Sequence, residues 1–125
     1  MKGVLPLVLV ALVVVFAGCL TDKGELIEEV PQSYCDSLQP AYIDTVKILI
    51  DSHCATSVGC HGLQSSNGDF TTYANMQAAG VLSESKIGFR VSSLDINQVM
   101  PQFNPLPDSL RQVFECWVNS GFPQQ

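Results

Sequence analysis

The stretch of this sequence best equipped to do chemistry is Cys54-Ala55-Thr56-Ser57-Val58-Gly59-Cys60-His61. Two thiols with an imidazole directly after the second are what covalent haem attachment needs. Each sulfur adds to a vinyl group, and the histidine reaches the iron. The usual attachment spacing leaves two residues between the cysteines, whereas five stand between Cys54 and Cys60. The porphyrin fixes the distance between the sulfurs, so the three extra residues must bulge outward, and Gly59 is expected to supply the backbone freedom for it. Adjacency of Cys60 and His61 is the stricter demand, because neighbouring side chains must meet one sulfur and the iron.

About forty residues downstream, Met100-Pro101 sits in a proline-rich stretch. A methionine there can offer its thioether to the other face of an iron, while Pro101 removes a backbone donor and stiffens the presentation. Histidine with methionine fills both axial positions and raises the reduction potential, which suits electron transfer rather than substrate binding. Methionine is also a common core filler, and Met76 is a second candidate. Other uses of the same residues remain open at this level. Cys54 and Cys60 could bond to each other, leaving His61 an ordinary surface residue. His53, Cys54, Cys60 and His61 could be imagined around zinc, although two adjacent pairs place four donors poorly on a tetrahedron.

Elements must hold these groups. Ile43, Val46, Ile48, Leu49 and Ile50 recur at helical spacing opposite Asp44, Lys47 and Asp51, predicting a helix over 41–53 with Pro40 in its first turn. The glycine-rich stretch 54–69 reads as irregular backbone. A short helix over 73–79 is predicted, capped by Thr71 or Thr72 and stopped by Gly80. A turn or two of helix follows over 83–91, and 92–107 reads as loop because of Pro101, Pro105 and Pro107. The last helix runs to Asn119, with Asp108 or Ser109 as its cap and Gly121 beyond its end. Leu110, Val113, Phe114, Trp117 and Val118 form its apolar stripe, and Phe70 and Tyr73 are expected in the core or along a pocket. The fold class expected is mostly α, a small helical domain over 40–125.

The N-terminus has a different character. Lys2 precedes an apolar run, Val4 to Ala17, too short for a comfortable membrane span and suited to a signal-peptide core. Phe16-Ala17-Gly18-Cys19 resembles a bacterial lipobox, which would make 1–18 a lipoprotein signal peptide and Cys19 the lipidated first residue of the mature chain. An ordinary signal peptide cut nearby, or a retained anchor, would also fit the apolar run. Residues 19–39 are acidic without an apolar period and are expected to tether the domain to the membrane. Without residues 1–18, five basic side chains stand against twelve acidic ones, a net charge of 7 negative. That surface repels nucleic acid and favours a redox protein partner with a basic docking face. Export implies an oxidising compartment, so Cys35, Cys54, Cys60 and Cys116 either form two disulfides or are partly consumed otherwise.

Taken together, "AYIDTVKILIDSHC", "GCHG", "GDFTTYANMQAAG", "VMPQ" and "LRQVFECWVNSGFP" resemble the small c-type cytochrome domains of bacterial lipoproteins, of the Bacteroidetes type, from Cys35 to Pro123. The resemblance implies a cytochrome c-like fold wrapped around one haem c. It implies Cys54 and Cys60 as thioether anchors, His61 as proximal ligand and Met100 as distal ligand. It also implies an exported electron carrier on the periplasmic or cell-surface side, or a haem module of a larger oxidoreductase complex, rather than an enzyme in itself. On these assignments Cys35 and Cys116 pair, closing a loop of about 80 residues, worth roughly 4 kcal/mol on the entropic model.

Overall fold

A computed structural model describes residues 29–125. The signal peptide, Cys19 and the tether through residue 28 lie outside the described residues. Five helical segments follow one another: α1 (Gln32–Leu38), α2, α3 (Tyr73–Ala78), α4 and α5 (Asp108–Asn119). In α2 a π-helical turn, Tyr42–Val46, runs directly into α-helix Lys47–His53, and α4 repeats the arrangement with Glu84–Gly88 and Phe89–Ser92. No strand occurs among the described residues, so the expectation of a mostly α chain holds.

The core face of α2 is drawn by Tyr42, Val46 and Ile50, each four residues from the next. Cys54 continues that row and is buried for the same reason. Ile43 and Ile48, expected on the apolar stripe, are exposed, because the row through 42, 46 and 50 turns them away from the core. The first N–H groups of α2 lack a side-chain cap. The C-terminal tail supplies their acceptors instead: Tyr42 N donates to Pro123 O at 2.9 Å and Ile43 N to Gln124 O at 3.2 Å.

Helix α5 lays Phe114, Trp117 and Val118 on this face. Trp117 is fully buried. Its ring centroid lies 6.3 Å from Tyr42, 6.4 Å from Phe114 and 5.1 Å from Phe122, and its Nε1 donates to Pro123 O at 3.0 Å. Met76 of α3, with Ile87 and Val91 of α4, completes the core. Met76 is thereby spent on packing.

One terminal assignment differs from the sequence expectation and another agrees with it. Asp108 lies inside the first turn of α5 and pairs with Arg111 rather than capping, since Pro107 occupies the cap position. A carboxylate there is still favoured by the helix dipole. On α3 the expected cap is found at Thr72, whose Oγ1 accepts from Asn75 N at 3.1 Å.

The boundary at 39/40 is not the start of regular structure. Residues 32–38, read as tether, form α1, and Cys35 binds Cys116 of α5 in a disulfide with Cα atoms 5.1 Å apart. The pairing of Cys35 with Cys116 is as the resemblance implies.

Candidate cofactor cleft

The loop after α2 folds back on itself through hydrogen bonds that set the two thiols apart from the residues between them. His61 N donates to Cys54 O at 3.0 Å, closing the bulge at its neck. Inside it Ser57 O accepts from both Cys60 N at 3.1 Å and Gly62 N at 2.8 Å. The extra residues therefore pack as a self-contained turn between two fixed ends. Gly59, expected to make the bulge possible, has no positive φ, and an added Cβ would make only an ordinary contact with Ser57 Oγ at 3.8 Å. The need falls on Gly62, where an added Cβ would stand 2.6 Å from Ser57 O. Only glycine lets the backbone come this close.

His61 is fixed on both sides. Its Nδ1 contacts Gly68 O at 3.2 Å, and since a carbonyl only accepts, Nδ1 is the donor and, in the neutral ring, Nε2 is the lone-pair atom. Its ring stacks on Phe70, centroids 3.9 Å apart and planes within 3°. Gly68 takes φ +100°, a backbone state that side chains resist, to turn its carbonyl toward the imidazole. Below it Asp69 accepts from Thr71 N at 2.8 Å, from the Thr71 hydroxyl, and from Gln64 N at 3.2 Å. These bonds, the Thr71 hydroxyl foremost, hold its carboxyl down at about 2.

Cys54 and Cys60 are free thiols, so the alternative in which they bond to each other is not the arrangement found. Their surroundings differ. Burial, reinforced by nearby Cys60, pushes the Cys54 thiol up to about 11, so it stays protonated at neutral pH. Cys60 is exposed, and the Ser57 and Thr56 side chains hydrogen-bonding to its sulfur hold it below its ordinary value.

A cleft of about 900 Å³ joins these groups to the second half of the chain. Cys54, Cys60 and His61 line it from the loop after α2, Phe70 and Val81 from the stretches around α3, and Ile87, Phe89 and Val91 from α4. Met100, Pro101 and Phe103 line it from the loop before α5. The Met100 segment is tied to α4, where Met100 N donates to Arg90 O at 2.8 Å. All four residues singled out from the sequence, Cys54, Cys60, His61 and Met100, thus line one cleft. Gly62, Gly68 and Asp69 support it without having been assigned a role by residue type.

The donor set suits a haem better than a bare ion. Among the described residues no three His, Cys, Asp or Glu side chains gather as metal ligands, so the imagined zinc cluster of His53, Cys54, Cys60 and His61 is not formed. What the cleft offers is two thiols, an imidazole with its proton already placed, a thioether and apolar walls. Its volume lies in the range of cofactor and ligand sites, about 300–1,000 Å³. Compared with known proteins, the chain matches no family model, no curated protein and no solved structure.

Proposed function

We propose that this chain is an exported monohaem c-type cytochrome that carries electrons, attached by a lipid on Cys19 to a membrane on its periplasmic or cell-surface side. The observation that carries the reading is the convergence of Cys54, Cys60, His61 and Met100, from two loops some forty residues apart, on one cleft of about 900 Å³. When bound, the haem supplies a one-electron couple at its iron. Cys54 and Cys60 would hold it through thioethers, with His61 and Met100 on the iron.

The chain's own residues then do three things. Gly68 keeps the His61 proton on Nδ1 and orients the ring, as the outer partner of a metal-bound histidine ordinarily does. Phe70, Ile87 and Val91 keep water from the cleft floor, which favours the less charged oxidation state. The acidic balance of the chain steers a redox partner with a basic docking face, an attraction that salt weakens.

The test is expression with cytochrome maturation factors, followed by extraction in acid acetone. A Soret band that stays with the denatured polypeptide is expected. A band that extracts with the solvent, or none at all, would remove the thioether assignment. Replacement of Met100 with Ala should abolish the methionine-to-iron charge-transfer band while leaving the covalent haem in place.

A further inference from the structure

The described residues carry four cationic side chains, Lys47, Lys86, Arg90 and Arg111, among a larger number of carboxylates. Two are matched: Lys47 pairs with Asp51 and Arg111 with Asp108. Lys86 and Arg90 form no ion pair with a described carboxylate, and both line the cleft. No Asp or Glu lines it with them. Among the described residues, the unmatched positive charges of an acidic protein thus stand at one cleft with no carboxylate lining it, a setting that favours an anionic ligand there.

Both cations are also held in place. Lys86 Nζ donates to Gly80 O at 2.6 Å, and Arg90 Nη1 donates to Gln98 O at 3.0 Å. Each spends one donor on a backbone carbonyl and retains others, since an ammonium has three and a guanidinium five. The two stand one helical turn apart on α4, on the same face. They come from a different element than the thiols and the imidazole, so a ligand filling the cleft meets sulfur and nitrogen from one segment and positive charge from another.

We propose that Lys86 and Arg90 form a carboxylate-binding rim of this cleft and take the two propionates of the haem. The proposal rests on the haem reading and adds to it the side of the cleft that meets the acidic groups. A cation beside a propionate raises the reduction potential by opposing the extra positive charge of the ferric state.

The test uses the full matured chain in four forms: wild type, Lys86→Gln, Arg90→Gln and Lys47→Gln. The last removes an equal charge from α2, where it is paired with Asp51 away from the cleft. Midpoint potential is measured together with the propionate bending band in the resonance Raman spectrum. Lys86→Gln and Arg90→Gln are expected to lower the potential relative to both wild type and Lys47→Gln, and to shift the propionate band. Arg90 also touches the Met100 segment, so the methionine charge-transfer band is followed in every form. If Arg90→Gln loses that band, Lys86→Gln decides alone. Haem-loaded Lys86→Gln with the potential and propionate band of Lys47→Gln would overturn the rim while leaving the haem reading intact. A wild-type chain that takes no covalent haem would end both.

Discussion

At the scale of single residues, the groups that would touch the cofactor are legible in the sequence because their chemistry is in their type. Cys60-His61 and Met100-Pro101 announce sulfur, nitrogen and thioether donors wherever the chain goes, and all of them line the cleft. The residues that make the loop possible are not legible in this way. Gly59 and Gly62 look alike in a sequence, and only the path of the backbone shows that Gly62 sits against the Ser57 carbonyl while a Cβ at Gly59 would make only an ordinary contact with Ser57 Oγ. Gly62→Ala is accordingly expected to lower stability by about 1–3 kcal/mol, the usual cost of overpacking. Gly59→Ala should stay within about 0.5 kcal/mol, both read from urea unfolding of the matured protein. Asp69 gives a pH signature to the same loop. Its carboxyl is held at about 2, below its ordinary 3.8, so its contribution is present above about pH 4 and is lost as pH falls toward 2. Acid titration of stability should therefore be steeper between pH 4 and 2 for wild type than for Asp69→Asn, measured by tryptophan fluorescence. Equal slopes would mean that the Thr71 and Gln64 bonds do not persist in solution.

At the scale of elements, α2, α3 and α5 fall close to where the sequence puts them, α3 through its Thr72 cap and α2 and α5 because each buries a regular row of side chains. Tyr42, Val46 and Ile50 are such a row, and Phe114, Trp117 and Val118 another. Helix α1 escaped notice since it buries only Cys35 and owes its place to a covalent bond with α5 rather than to an apolar face. The role of the tail was hidden for a related reason: it acts through backbone carbonyls, which carry no residue type. Phe122, Pro123 and Gln124 accept from the Tyr73 hydroxyl, from Tyr42 N and Trp117 Nε1, and from Ile43 N respectively. Ending the chain at Gly121 would strand these donors around α2 and Trp117. With about 1 kcal/mol for each hydrogen bond, truncation is expected to cost about 3–5 kcal/mol, seen as an earlier urea midpoint and an exposed Trp117. A truncated chain as stable as the full one would show that water replaces the tail without loss.

At the scale of the whole molecule, a long-range covalent tie compensates for a small helical core. The Cys35–Cys116 disulfide spans 81 positions and fastens α1 to α5. Replacing both cysteines with Ser should cost roughly 4 kcal/mol on the entropic model, measured as the loss in unfolding free energy, with the cleft and its ligands retained. Elsewhere the loop after α2 and the loop before α5 both line one cleft of about 900 Å³. Under the proposed reading a covalent cofactor would bridge those loops and take the two thiols left free, one buried and one exposed, in a chain whose remaining described cysteines are paired. The most direct measurement is intact and peptide mass of the matured chain, with thiol alkylation under denaturing conditions. Covalent haem attachment requires a gain of one haem on the peptide holding Cys54 and Cys60, with neither sulfur open to the alkylating reagent. The unmodified mass, with both thiols alkylated or joined to each other, would contradict it.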